Sequence, residues 1–129
     1  MKVLVVDDFA TMRKIIKNVL KQLDIENVKE AENGKQALEI LRSEKIDLII
    51  SDWIMPEMTG IEFLKACKSD ENIKKIPFIM VTAEAQKSSV IEAIQSGVDN
   101  YIVKPFTPEK LKEAIEKAKA KVMQESGGK

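Results

Sequence analysis

The chain contains no histidine and a single cysteine, and its formal charges cancel, with 21 Lys and Arg against 21 Asp and Glu. Without histidine there is no histidine general base, no histidine metal ligand and no phosphohistidine on this chain. The lone Cys67 cannot form an internal disulfide, which suits a reducing compartment. A balanced charge lacks the basic excess expected of a nucleic-acid binder. No apolar stretch approaches the roughly 20 residues a helix needs to cross a bilayer. The N-terminus opens on a strand-like run rather than on the charged and apolar regions of a signal peptide. The expected setting is soluble and cytoplasmic, with no membrane and no nucleic-acid partner, and a monomer is the default state. What is present is a 44% apolar content over 129 residues, enough for the core of one domain.

Five short apolar runs, Lys2–Val6, Asn27–Ala31, Asp47–Ser51, Pro77–Val81 and Asp99–Val103, alternate with five helix-like segments. The runs around VLVV, DLII and FIMV are almost continuously apolar, as strands buried on both faces should be. NVKEA alternates apolar and polar residues and belongs at an edge; the short NYIV run suits the other edge. Met12, Ile15, Ile16, Val19, Leu20 and Leu23 form one stripe at helical spacing, and Leu111, Ala114, Ile115, Ala118 and Val122 form another. Thr107, Pro108 and Glu109 read as a cap, a first-position proline and a first-turn acid. Gly97 suits a helix C-terminus. Strict strand–helix alternation predicts an α/β fold, a flavodoxin-like, doubly wound parallel sheet with right-handed crossovers and strand order 2-1-3-4-5. The expected boundaries are a domain over residues 1–123 and a flexible tail over 124–129.

In that order the first and third strands meet at the topological switch point, where ligands of open α/β sheets bind beyond the strands' C-terminal ends. Asp7 and Asp8 follow the first strand, Asp52 the third, Thr82 the fourth and Lys104 the fifth. Glu30 and Glu32, on the second strand, are expected to lie too far away. A single aspartate after a strand is ordinarily a turn former or a helix cap, and Asp8 alone would read that way. All these groups converging on one rim call for more. Carboxylates packed together raise one another's pKa unless a cation offsets them. Lys104 offsets one; a hard divalent cation with oxygen ligands, for which Mg²⁺ is suited, would offset the rest. A carboxylate can also act as a nucleophile toward phosphorus, and phosphoryl transfer requires mainly positioning and charge neutralisation.

VLVVDDFATMR, ISDWIMPEMTG, VTAEA and YIVKPFT resemble the receiver domains of two-component response regulators, most closely those of chemotaxis regulators, from Lys2 to about Val122. Chemotaxis regulators are themselves a standing example of the 2-1-3-4-5 order. The resemblance implies a phosphoacceptor switch rather than a substrate-turning enzyme. It makes Asp52 the acceptor, Asp8 a direct Mg²⁺ ligand, Asp7 a ligand through water and Ile54 a ligand through its backbone carbonyl. Thr82 and Lys104 would hold phosphoryl oxygens, and Lys104-Pro105 would be cis. Tyr101 resembles the family's rotameric aromatic, and Ala85, Tyr101, Val103 and Phe106 with Thr82 would form the switch and partner surface. The implied partners are a histidine kinase, the flagellar motor switch or another protein target, and a phosphatase. Ile54 replaces an asparagine frequent in chemotaxis regulators, and an apolar side chain there would shield the acyl phosphate or hinder an external phosphatase. Thr59 replaces an aspartate and reads as a different helix cap.

Other features read as packing. Met55, Met58 and Met80 suit loop and core positions, Cys67 suits a small buried apolar site, and the last helix balances its lysines with Glu109, Glu113 and Glu116. The alternative role within the same chemistry is a phosphorelay intermediate that passes its phosphoryl group to another protein's histidine. A flavodoxin would need a hydroxyl- and glycine-rich first loop, a P-loop hydrolase GxxxxGK[ST], and a haloacid-dehalogenase-type phosphatase DxDxT; none of these is present.

Overall fold

The continuous apolar runs become strands because each must bury side chains on both faces of one sheet. In the computed structural model, which describes residues 1–53, 55, 57–83 and 86–127 and the side chains through residue 121, five parallel strands form a single sheet of order β2-β1-β3-β4-β5. These are β1 (Val3–Val6), β2 (Val28–Ala31), β3 (Leu48–Ser51), β4 (Phe78–Thr82) and β5 (Asn100–Val103). The helices are α1 (Ala10–Gln22), α2 (Gly34–Ser43), α3 (Gly60–Ser69), α4 (Lys87–Gln95) and α5 (Pro108–Gly127).

Side chains alternate between the faces. Leu4, Val6, Ile49, Phe78 and Met80 enter a core with Ala37, Leu38 and Leu41 of α2, Phe63, Leu64 and Cys67 of α3, and Ala93 of α4. Val3, Val5, Leu48, Ile50, Ile79 and Val81 enter the opposite core with Ile16, Val19 and Leu20 of α1 and Leu111, Ala114, Ile115 and Ala118 of α5. The edges are the two strands expected there, and both are only partly buried. Residues 124–127, placed in the expected tail, continue α5, and residues 128–129 lie outside the described residues.

Local chemistry explains the helix ends. Asn33 caps α2 by accepting from the Gln36 N–H. Thr59 and Glu62 form a reciprocal capping box on α3, so Thr59 does serve as the cap. Thr107 Oγ1 accepts from the Lys110 N–H at 3.2 Å, and Gly97, with φ of 101°, follows the end of α4. The α1 stripe is narrower than its spacing predicts. Ile15 is 43% exposed, whereas Met12 and Leu23 pack partly against the α1–α5 core. Cys67 is buried and unpaired, and burial pushes its thiol up to about 12, which makes it an inert packing residue. Among the described residues no helix is long and apolar enough to cross a membrane.

Candidate functional site

The parallel sheet delivers its strand ends to one rim, and the register fixes which groups meet there. Val6 pairs with Ser51 across β1 and β3, so Asp7 and Asp52 leave adjacent strands at the same level. The Asp52 N–H donates to the Val6 carbonyl at 3.0 Å, and the Asp7 N–H donates to the Ala31 carbonyl of β2 at 3.1 Å. Asp7 and Asp52 are both buried, at 1% and 6% exposure, while Asp8 is exposed. One carboxylate oxygen from each of Asp7, Asp8 and Asp52 lies within 4.8 Å of the others. It is the one such acidic group among the described residues.

Among the described residues, the cation that reaches both Asp7 and Asp52 is Lys104. Lys104 Nζ is 3.2 Å from Asp7 Oδ2 and 3.1 Å from Asp52 Oδ2. Each acid has a further backbone donor: the Trp53 N–H reaches Asp52 Oδ1 at 2.6 Å and the Phe9 N–H reaches Asp7 Oδ1 at 2.9 Å. These contacts do not free Asp7 from its surroundings. Burial is the largest influence and pushes its carboxyl above the usual value; the Phe9 N–H and the Lys104 charge pull it back, and the Asp52 charge pushes it up again. Two buried carboxylates share the Lys104 ammonium, with a third carboxylate at the mouth. Three carboxylates at this spacing fit a small divalent cation with oxygen ligands.

The β3–α3 segment is drawn in close beneath Asp52. The Gly60 N–H donates to the Trp53 carbonyl at 2.6 Å. A Cβ on Gly60 would collide with the Asp52 carbonyl oxygen and lie 2.6 Å from Trp53 Cα. Glycine is the residue that permits this backbone approach. Ser51 Oγ donates to the same Asp52 carbonyl at 3.0 Å.

Of the residues expected from sequence, Asp7, Asp8, Asp52 and Lys104 are brought together. Thr82 ends β4, fully buried, and its carbonyl accepts the Lys104 N–H at 2.8 Å, which ties the two strand ends to each other. The Lys104-Pro105 bond is cis. Tyr101 is half-buried and meets Trp53 edge-on with ring centroids 6.5 Å apart. Val103 is exposed. Tyr101 packs on the α2–α4 side of the sheet and Phe106 on the α1–α5 side, so the expected partner surface wraps around the β5 edge. Ile54 and Ala85 lie outside the described residues. The helix-cap reading of Asp8 does not hold, since Phe9 occupies the cap position of α1 and no side chain caps that helix.

Glu30 lies outside the acidic group, as expected, but sequence reasoning missed Arg13, which links Glu30 to the rim. Arg13 donates to the Asp7 carbonyl at 2.6 Å and to Glu30 Oε1 at 2.9 Å. The predicted order placed β2 beside β1, and Val5 pairs with Glu30. Alternation then puts Glu30 on the face that α1 covers, within reach of Arg13. That signal was present and was not followed.

The response regulator receiver domain model matches residues 3–116. The chain is 54% identical over 117 residues to the chemotaxis protein CheY of Pseudomonas aeruginosa, covering 91% of this chain and 94% of that one. Among solved structures it resembles Vibrio cholerae CheY4, with a TM-score of 0.83, 36% identity and coverage of 91% and 97%. It also resembles the receiver domain of a Pseudomonas aeruginosa sensor histidine kinase, solved with a magnesium ion coordinated in its active site cleft. That match has a TM-score of 0.81, 25% identity and coverage of 90% and 94%.

Proposed function

The chain belongs to the response regulator receiver family, and from that premise we propose that it is a cytoplasmic switch phosphorylated on Asp52. A histidine kinase supplies the phosphoryl group, Mg²⁺ is required, and the phosphorylated form binds its protein target, the flagellar motor switch, more tightly. The observation that carries the reading is the placement of buried Asp52 among Asp7, Asp8 and Lys104 at the β1–β3 switch point. The names of the relatives support the chemotaxis assignment, and the related receiver domain with magnesium in its cleft supports the metal.

In the transfer, an Asp52 carboxylate oxygen attacks the phosphorus of the kinase's phosphohistidine. The new P–O bond forms as the N–P bond breaks, and the electron pair leaves with the imidazole. Lys104, 3.1 Å from Asp52, would pair with a phosphoryl oxygen as the carboxylate is consumed. The Thr82 hydroxyl, at the end of the neighbouring strand, is the donor for another. Asp7 and Asp8 would hold Mg²⁺ with Asp52, and the ion, when bound, supplies positive charge to the phosphoryl oxygens. The domain turns over no separate substrate; it catalyses only its own phosphorylation and dephosphorylation. Its output is a difference in stability between two states, and moving a population from 1:99 to 99:1 needs about 5.5 kcal/mol. Exposed Val103 of β5, with half-buried Tyr101 and Phe106, would meet the target.

The test is phosphorylation by a chemotaxis histidine kinase with Mg²⁺, mapped by mass spectrometry and followed by binding to immobilised motor-switch protein. One phosphoryl group is expected on Asp52 and none on the Asp52→Asn chain, with stronger retention of the phosphorylated form. Full phosphorylation of Asp52→Asn at another residue would overturn the acceptor assignment. Equal retention of both forms, with onward transfer to a histidine phosphotransfer protein, would make the chain a relay intermediate instead.

A further inference from the structure

Arg13 stands behind the acidic rim rather than in it, and its guanidinium is bonded to both the β1–α1 turn and β2. Its side chain is only 12% exposed. One terminal nitrogen donates to the Asp7 carbonyl at 2.6 Å, while Nε donates to Glu30 Oε1 at 2.9 Å. Lys17, one turn further along α1, holds the other Glu30 oxygen at 3.0 Å. The Asp7 N–H is already bound to Ala31, the residue after Glu30. The Asp7 backbone is therefore held to β2 twice, directly through its N–H and through Arg13 at its carbonyl. Its side chain is held by the Phe9 N–H at the start of α1.

We infer that Arg13 is a positioning residue for the cation site, with Glu30 orienting its guanidinium. By tying the β1–α1 turn to β2, it sets where the Asp7 and Asp8 carboxylates stand relative to Asp52. A planar guanidinium can serve a carbonyl and a carboxylate at once; an ammonium on the same stem cannot reproduce that fork. The inference rests on reading the acidic rim as a Mg²⁺ site.

Charge and position predict opposite signs, which makes the inference testable. A guanidinium near a cation site repels the incoming ion, so by Coulomb's law alone its removal should tighten binding. Loss of positioning should weaken it. The full chain is titrated with Mg²⁺ alone, following Trp53 fluorescence, as wild type and as Arg13→Met, Arg13→Lys and Glu30→Gln. Urea unfolding in chelator confirms that each is folded. Arg13→Met should bind Mg²⁺ about tenfold more weakly, the lower end of what outer-shell partners contribute in metal sites. Arg13→Lys, which keeps the charge and loses the fork, should also be weakened. Glu30→Gln, which keeps an acceptor for Nε but loses the charge-assisted pair, should be weakened less than Arg13→Met; a loss larger than that of Arg13→Met would overturn the order of roles. Binding by Arg13→Met that equals or exceeds wild type overturns the inference, and Arg13→Lys decides it in the same way where Arg13→Met does not fold. A wild-type chain that shows no Mg²⁺ response overturns the acidic-rim reading, and this inference with it. A responsive wild type with tight-binding variants overturns this inference alone.

Discussion

Aspartates stand at both ends of the sheet, and the two ends treat them differently. At the N-terminal end, Asp47 precedes β3 and Asp99 precedes β5. Asp47 Oδ2 accepts the Lys2 N–H at 2.8 Å. Asp99 Oδ2 accepts the Phe78 N–H at 2.8 Å, and its carboxylate also meets Lys121 at 2.6 Å and Lys68 at 3.7 Å. Each of these acids joins the starts of two neighbouring strands and is matched by donors. At the C-terminal end, three carboxylates gather together and two of them share one lysine. The first arrangement spends its charges on holding strands in register. The second holds like charges together, which costs stability unless a cation offsets them. Residue type does not separate the two roles; the ratio of acids to donors does.

The sharpest contrast in stability should come from glycine. Gly60→Ala presses a methyl group into the Asp52 backbone and should destabilise the chain by about 3 kcal/mol. Gly97→Ala, at φ of 101° with Lys68 side-chain carbons 3.4 Å away, should cost about 1–2 kcal/mol from backbone strain. Urea unfolding of both variants checks the order; equal losses would mean that the C-terminal rim is no more tightly constrained than the other end.

The same Asp→Asn change should then have opposite signs at the two ends. Asp99→Asn loses charge-assisted bonds to Phe78, Lys68 and Lys121 and should lower stability by about 2 kcal/mol. Asp7→Asn removes a buried charge from a crowded site and should raise the urea midpoint of the metal-free protein. A fall on Asp7→Asn as large as that on Asp99→Asn would erase the distinction.

The smallest effect should be in the pH dependence. Asp7 has a folded pKa above its ordinary 3.8, because burial and the Asp52 charge outweigh Phe9 and Lys104. The folded protein therefore binds that proton more tightly than the unfolded chain. The contribution is fully present below 3.8 and is lost as pH rises through the folded value. Glu30 behaves the other way. Burial raises its pKa, but the bonds from Lys17 and Arg13 lower it further, to a net value below the ordinary 4.5. Its contribution is present above 4.5 and is lost as pH falls through the folded value. In chelator, the acid-side stability profile of Asp7→Asn should lack the loss seen on raising pH in the wild type, whereas Glu30→Gln should lack the loss seen on lowering it.

Most of the fold was legible because burial on two faces leaves a plain mark: VLVV, DLII and FIMV could be little else than inner strands, and their order placed Asp7, Asp52, Thr82 and Lys104 at one rim. The polar edge pattern of NVKEA located β2 correctly. Glu30, expected to lie too far from the rim, is indeed outside the three-carboxylate group and reaches it only through Arg13, a contact the strand pattern does not announce. Ile15 was legible as helical but not as exposed, because spacing alone does not give the width of a buried stripe. The close approach of Gly60 to Asp52 depends on the path of a loop, and periodicity carries no information about that.

The most direct test of the acidic rim is Trp53 fluorescence during addition of Mg²⁺ and then acetyl phosphate, in the wild type and in Asp52→Asn. Trp53 follows Asp52 in the chain, and its N–H is bonded to that carboxylate. The account predicts a change on Mg²⁺, then a second, Mg²⁺-dependent change that reverses as the donor is consumed and is missing in Asp52→Asn. Constant fluorescence through both additions, with an unchanged protein mass, would contradict it.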